Sequence, residues 1–546
     1  MKIVIVGAVA GGASAAARAR RLNEDAEIIL LERGEAPSFA NCGLPYFIGG
    51  VIEQRDALLV APKQLLIDRF RLDVRTRTEA TSIDRERKVV AVHNLENDEK
   101  YELPYDKLIL SPGASPLRPP IPGADLPGVL TLRDLSDADR MQEIVSRAQA
   151  AVIIGAGFIG LEMAENLVHR GLKTTVVELA DQILPPWDAE MVFPVAEHLR
   201  QKGVELRLAD AAESIEEKDD SMQVRLKSGE LVSADLVVMS VGVRPENALA
   251  VGAGLEVGAR GGIRVNPQMQ TSDADIYAVG DAVEVHHFVD DSPIQIPLGG
   301  PANRQGRIAA DNIFGRDSTF RGTQGTAIVG LFDMAASMTG LSEKWLLSNE
   351  QPYEKAYVHP KHHAGYFPGA ESLAIKILFH PETGKLLGAQ VVGKNGVDKR
   401  IDVLAVAIQA GMSVYDLEEM ELAYAPQFGS AKDPINMAGF VAAGILRGDQ
   451  PIVHAGKLKS SADEKPLFLL DVRSAEEFEA GHIAEAVNIP VEQLRSRLDD
   501  LPRDQPIAAY CQVGQRAYLA TRMLLQRGFN VVNLSGGFTT YERVQA

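Results

Sequence analysis

Gly155-Ala156-Gly157-Phe158-Ile159-Gly160 is the stretch on which the reading of this chain turns. It is a complete G-x-G-x-x-G. The apolar run Ala151 to Ile154 before it reads as a buried parallel strand, a helix is expected from about Leu161 to Arg170, and Thr174 to Val177 reads as a strand ending at Glu178. Glu178 follows Gly160 by 18 residues, which is the layout of a dinucleotide unit. Its glycines bring a pyrophosphate close to helix amides, and its acid accepts from a ribose hydroxyl. A carboxylate there repels a 2′-phosphate, so NADH is favoured over NADPH. The pattern has already occurred once, at the N-terminus. Lys2 to Val6 is a strand, Gly7-Ala8-Val9-Ala10-Gly11-Gly12 a turn, and an alanine-rich helix runs to about Leu22. Glu27 to Leu31 ends at Glu32, 20 residues after Gly12. Val9 stands where the second glycine belongs. One such turn could be an ordinary βαβ connection; two in one chain point to two dinucleotides.

Directly after the first unit comes Ser38-Phe39-Ala40-Asn41-Cys42-Gly43-Leu44-Pro45-Tyr46. A lone cysteine is usually a small hydrophobe. Here Gly43 and Pro45 imply a fixed backbone around the thiol. A thiol near a helix N-terminus or an electron-poor partner, such as an oxidised flavin, has its pKa lowered and becomes a nucleophile. The only other cysteine among 546 residues is Cys511. Two thiols make no disulfide framework, which fits a reducing compartment. A net charge of −18 argues against a nucleic-acid or membrane-surface binder. The apolar N-terminus superficially resembles a signal peptide, but Gly7, Gly11 and Gly12 favour strand, turn and helix, and no apolar run spans a membrane. The protein is therefore read as cytoplasmic.

Smaller signals follow. Leu108 to Leu110 ends in Ser111-Pro112-Gly113, Leu236 to Val241 in Gly242, and Ile276 to Val279 in Gly280-Asp281. From about Gly325 to Gly444 no phosphate loop occurs, and an α+β interface domain is expected. It holds Tyr366 and Tyr424, residues that are most often simply packed with the hydroxyl satisfied. Residues around Asp449 to Pro466 are polar and Lys-rich and read as a linker. Beyond it, the strand Ile507 to Tyr510 runs into Cys511-Gln512-Val513-Gly514-Gln515-Arg516 and a helix to about Arg527. A thiol backed by successive amides and a helix N-terminus sits in an anion cup, which can hold a persulfide. His286-His287 and His362-His363 lack partners at ligand spacing, so no metal is assigned.

These residues resemble two families joined in one chain. Residues 1 to about 446 resemble the pyridine nucleotide-disulfide oxidoreductases, and more closely their single-cysteine, coenzyme A-disulfide reductase branch, in which Val9 is in place. Carriers are the two glycine turns, Ser38 to Tyr46, Gly280-Asp281, and Tyr424 through Ala431-Lys432-Asp433-Pro434. Residues from about 460 resemble a rhodanese domain, carried by Asp471-Val472-Arg473, Gly481-His482-Ile483 and the Cys511 to Arg516 loop. Some members of the fused form reduce persulfides or polysulfides.

The resemblance implies a mixed α/β fold with these parts: an FAD domain at 1–112 and 245–322, an NAD(H) domain at 113–244, a dimerisation domain at 323–446, a linker at 447–464 and a rhodanese domain at 465–546. It implies FAD on Gly7, Gly11, Gly12, Glu32 and Asp281, with Arg33, Ser111, Gly113 and Gly280 nearby. The nicotinamide cofactor falls to Gly155, Gly157, Gly160, Glu178 and Gly242. Coenzyme A is expected beside Cys42, near Ser14, Arg18, Arg21, Ser38, Asn41 and Lys432. Tyr366 and Tyr424 would protonate a leaving thiolate in the partner subunit of a homodimer, while Cys511 with Arg516 would carry sulfane sulfur. Gln427-Phe428 departs from the family pattern near Tyr424. The expected substrates are coenzyme A disulfides, persulfides or polysulfides. Two alternatives stay open. One is an NADH peroxidase or oxidase working through a cysteine sulfenic acid, although such relatives carry a histidine where this chain has Ala10. The other is a redox-sensing, sulfur-trafficking protein.

Overall fold

A computed structural model describes residues 1–218, 221–458 and 466–545. Residues 459–464, the rest of the expected linker, lie outside the described residues. The chain divides into two compact units, one of residues 1–181 and 203–325, the other of residues 182–202 and 326 onward.

The first unit contains two parallel five-stranded sheets. The first runs in the order Ile276–Ala278, Lys107–Leu110, Lys2–Val6, Glu27–Leu31, Asp73–Arg75. Val4 pairs with Ile29 on one side and Leu108 on the other. A central strand covered on both faces has to be apolar throughout, and Ile3, Val4 and Ile5 have no exposed surface. Helix Ala10–Leu22 lies on this sheet through Ala15, Ala16 and Ala19. Those small side chains let helix Gly299–Ile313 come close: a Cβ on Gly306 would lie 2.2 Å from the Gly11 carbonyl oxygen. The second sheet has the order Val204–Arg207, Lys173–Val177, Ala150–Ile154, Leu236–Met239, Val129–Leu130. It repeats the first in register, with Ile154 between Val177 and Met239.

The second unit contains an antiparallel sheet, Ala327–Leu331, Met334–Gly340, Leu386–Gly393, Leu373–Phe379, Glu354–Val358. It also contains a parallel sheet, Ile452–Val453, Val531–Leu534, Ile507–Tyr510, Phe468–Asp471, Val487–Asn488. Ile452–Val453 fall inside the stretch assigned to the linker. They pair with Asn533 and Leu534, so the C-terminal sheet takes in residues that their Lys-rich surroundings concealed. Residues 182–202, which the sequence groups with the nicotinamide unit, cluster with the second unit instead.

Their anchor is electrostatic. Strand Leu373–Phe379 is buried at every position, yet its centre is Lys376, with no exposed surface. The ammonium lies 2.8 Å from Asp188 Oδ2, 2.6 Å from Glu190 Oε1 and 2.5 Å from Glu343 Oε2. Gln390 donates to Asp188 at 2.7 Å, and the Tyr357 hydroxyl donates to Glu190 at 2.7 Å. Burial pushes the Glu343 carboxyl up, but Lys376 and Lys355 outweigh it and bring Glu343 down to about 2. A buried charge that loses its partner costs far more than the intact pair contributes. Lys376→Met keeps the stem and strands the carboxylates. It should lower the free energy of unfolding by about 3–5 kcal/mol, read from urea denaturation; a loss below about 1 kcal/mol would mean that the cluster is not an anchor.

Candidate active sites

The two glycine turns are near copies in atomic detail. Gly7 and Gly155 have φ of +94° and +106°. A Cβ on Gly7 would lie 2.0 Å from the Ser111 carbonyl oxygen, and one on Gly155 would lie 2.5 Å from that of Ser240. The third glycine of each turn seats the helix: a Cβ on Gly12 would lie 1.8 Å from Gly7 O, and one on Gly160 2.0 Å from Gly155 O. The acids close the motif in a way that the spacing does not reveal. Glu32 accepts from Ala8 N at 2.9 Å and Gly34 N at 2.7 Å. Glu178 accepts from Ala156 N at 2.7 Å and Ala180 N at 2.9 Å. Each carboxylate thus braces its own turn. A Cβ on Gly157 would meet nothing within 4 Å, which leaves room for a pyrophosphate over the helix amides. Gly113 and the helix-opening Gly299 and Gly300 face similarly open space. Gly280 donates to Gln305 at 2.8 Å, and burial raises the adjoining Asp281 carboxyl. Gly242 has φ +110°, and Arg33 pairs with Glu79 and Glu246 at 3.5 Å each. These residues fit two dinucleotides.

Cys42 sits in the 3₁₀ turn Asn41–Gly43, just ahead of helix Leu44–Ile48. Solvent reaches the side chain, but the recess around it desolvates the thiol and pushes its pKa up, with Glu162 and Asp281 adding to the rise. The sequence led us to expect a lowered value; the chain's own groups act in the other direction. Glu162 itself is raised from 4.5 to about 7, by burial first and by Glu165 second. Tyr46 is pushed up to about 12 by burial, then by Glu162, Glu165 and Cys42. Helix Phe158–His169 is held against the C-terminal end of helix Leu44–Ile48 so closely that a Cβ on Gly49 would lie 2.0 Å from Asn166 Oδ1. Glu162 and Glu165 had escaped sequence reasoning, because nothing but packing distinguishes them from ordinary helix carboxylates. The doublet Gly299-Gly300 ahead of a helix was a legible signal for the Asn303 and Gln305 region.

Of the expected coenzyme A residues, Ser14, Arg18 and Arg21 share one face of helix Ala10–Leu22. Arg18 is engaged by Asp311 at 2.6 Å, and Ser14 donates to Asn303. Arg21 is exposed. Ser38 holds a left-handed φ of +48°, and Asn41 donates to the Arg133 carbonyl at 3.3 Å. The remaining site residues belong to the second unit. Tyr366 and Tyr424 bond to each other through their hydroxyls at 2.9 Å, and this bond raises the Tyr366 pKa. The two rings are 76% and 49% exposed, so neither is the packed core tyrosine that its residue type would favour. Lys432 is exposed, next to Asp433, which caps helix Pro434–Leu446.

Cys511 is buried. Gly514, at φ +95°, turns its amide to donate to Cys511 Sγ at 3.2 Å. Arg516 is gripped by both oxygens of Glu477, at 2.7 and 2.6 Å, and brings that carboxyl down to about 2. Arg516 also interacts with the Cys511 sulfur.

Two dinucleotide sites, a lone thiol in the recess of the first unit and a second thiol in an amide cup define an oxidoreductase of sulfur. Residues 1–304 match the family described as pyridine nucleotide-disulphide oxidoreductase, 326–433 its dimerisation domain and 454–543 the rhodanese-like domain. The chain belongs to the pyridine nucleotide-disulphide oxidoreductase family, whose cofactors are FAD and NAD(P)H, and carries a C-terminal rhodanese domain. It is 37% identical to the coenzyme A disulfide reductase of Staphylococcus aureus strain JH9 over 444 residues, 81% of this chain and 99% of the relative. The structure of reduced Bacillus anthracis CoADR-RHD is 47% identical with a TM-score of 0.97, covering 100% of this chain and 98% of that one. A NAD-dependent persulfide reductase from A. fulgidus is 38% identical with a TM-score of 0.92, covering 99% and 100%. The water-forming NADH oxidase of Lactobacillus brevis is 26% identical with a TM-score of 0.79, covering 82% and 99%. Among the described residues no helix is long and apolar enough to cross a membrane.

The Glu162 shift has a measurable sign. The folded chain keeps the proton up to about 7, whereas an ordinary carboxyl loses it near 4.5. Between those values the folded state binds more protons, so stability falls as pH rises through that window. Glu162→Gln should flatten this fall by about 1–3 kcal/mol, read from urea midpoints between pH 5 and 7.5; an unchanged slope would place the proton elsewhere.

Proposed function

We propose that this protein is an NADH-dependent reductase of coenzyme A disulfide, coenzyme A persulfide or polysulfide. It works as a homodimer through the single thiol Cys42, with Cys511 handling sulfane sulfur. The observation that carries this reading is the separation of the two thiols. Cys42 shares a recess with the Glu162 helix that begins at the nicotinamide-type turn, whereas Cys511 lies in its own sheet behind loop amides. The relatives named above support the substrate class.

Gly7, Gly11, Gly12, Glu32 and Asp281 would hold FAD, and Gly155, Gly157, Gly160 and Glu178 would hold NADH, with the Glu178 charge disfavouring a 2′-phosphate. When bound, these cofactors supply the two electrons that return a mixed disulfide to thiol and thiolate. The chain's own part begins with the Cys42 thiolate. It attacks one sulfur of the coenzyme A disulfide; a Cys42–S–S–coenzyme A bond forms, the original bond breaks, and one coenzyme A thiolate leaves. The leaving thiolate takes a proton from the Tyr424 hydroxyl, which Tyr366 supports through their shared hydrogen bond. Across the homodimer, this tyrosine pair of each chain serves the Cys42 of the other. Ser14, Arg18, Arg21, Ser38, Asn41 and Lys432 would bind coenzyme A. Burial, Glu162 and Asp281 raise the Cys42 pKa, so an electron-poor group bound beside the thiol would be what favours the thiolate. A peroxide- or oxygen-reducing role fits the first unit alone and leaves the Cys511 cup without work.

Cys42→Ser should abolish NADH-dependent reduction of coenzyme A disulfide and leave the yellow flavin bound. Cys511→Ser should keep that reduction and lose sulfane-sulfur transfer; equal loss of both would put Cys511 on the electron path. Tyr424→Phe should lower kcat by roughly 100- to 10,000-fold with a smaller change in coenzyme A affinity. An unchanged kcat at every pH would make the tyrosine structural.

A further inference from the structure

The Cys511 cup is shaped from behind by helix Gly537–Gln545. Its first amides reach back to the loop: Phe538 N donates to the Cys511 carbonyl at 2.9 Å and Thr539 N to the Gln512 carbonyl at 3.0 Å. Gln512 returns the contact through Nε2 to Thr539 Oγ1 at 3.0 Å. These bonds hold the carbonyls of Cys511 and Gln512, the start of the loop whose Gly514 amide donates to Cys511 Sγ. There is no slack in this contact, since a Cβ on Gly537 would lie 2.5 Å from the Cys511 oxygen.

The same helix is pinned on its other side by the antiparallel sheet of the dimerisation fold. Beyond the end of edge strand Glu354–Val358, His359 Nε2 meets Thr540 Oγ1 at 2.9 Å. Within that strand, Tyr357 leaves no room for a side chain at Gly536, where an added Cβ would lie 2.9 Å from Tyr357 Cβ. Glu354 holds His454, next to the strand Ile452–Val453, at 2.9 Å. Tyr357 in turn bonds Glu190 of the Lys376 cluster, so the surface beneath the helix is stiff.

We propose that His359, which lies outside the rhodanese domain, is a positioning residue for Cys511: through Thr540 it fixes the helix whose amides set the sulfur-carrying loop. The inference rests on the reading of Cys511 as a sulfane-sulfur carrier. Burial, with Arg543 close by, brings His359 down to about 3, so the ring is neutral and makes a single directed bond at Nε2. A gap opened there reaches Cys511 through Thr540, Thr539 and Phe538 without touching the first unit.

The test uses the full-length flavoprotein, with thiosulfate as sulfur donor and cyanide as acceptor, read as thiocyanate. His359→Ala and Thr540→Val should each lower kcat about 3- to 10-fold, the factor that one hydrogen bond commands, with KM for thiosulfate unchanged. The double variant should lose no more than either single one. His359→Gln, whose amide nitrogen can take the place of Nε2, should restore kcat. NADH-dependent reduction of coenzyme A disulfide should be the same in all four. Wild-type kcat in both single variants overturns the proposal, as do additive losses that His359→Gln does not recover. A Cys511→Ser control that still forms thiocyanate at the wild-type rate overturns the carrier reading itself, so the two failures are distinguishable.

Discussion

A contact that excludes a single methyl group governs the first unit. Gly12 and Gly160 lie against the carbonyls of Gly7 and Gly155 so closely that any Cβ would collide. That approach seats each helix on its strand and turns the helix amides outward at the sheet edge. The left-handed φ of Gly7 and Gly155 makes the turn possible, and the carboxylate at the end of the next strand ties its amides down. The seating of each helix on its first strand follows from this one steric condition, met twice in one chain.

The two thiols occupy opposite electrostatic settings. Around Cys42 the protein gathers carboxyls and partly desolvates the exposed thiol, which disfavours negative charge on sulfur. Around Cys511 it places the Gly514 amide and Arg516. The first arrangement suits a thiol whose charge is to be stabilised by a partner brought from outside the chain. The second gives its sulfur a hydrogen-bond donor and a neighbouring guanidinium from the chain itself. On the proposed reading, electrons pass through the first and sulfur atoms through the second.

Much of the architecture was legible because it depends on neighbours in sequence. The strands around both glycine turns and the acid at each strand end lie within two residues of their expected positions. What escaped depends on partners far apart in the chain. Lys376 meets Asp188 across 188 positions, so no local pattern marks a lysine in the middle of an apolar strand. Strand Ile452–Val453 is two residues long and takes its identity from Asn533 and Leu534. Glu162 owes its shift to burial and to Glu165 one helical turn on. The tyrosines show the converse, since an aromatic residue type implies burial and only the structure shows Tyr366 and Tyr424 standing exposed and joined.

The brace that Glu178 makes with Ala156 and Ala180 bears on how the coenzyme preference of such a protein could be re-engineered. On the proposed reading, one side chain both closes the loop and presents the charge that discriminates between the two nicotinamide coenzymes. Exchanging it for a small residue would remove the repulsion and also leave two amides without their acceptor. A neutral acceptor of the same reach separates the two roles, because glutamine can keep a bond to the loop while withdrawing the charge. On that reading selectivity and loop order are coupled traits, and a design that treats the acid as a recognition element alone would unsettle the scaffold that it meant to preserve.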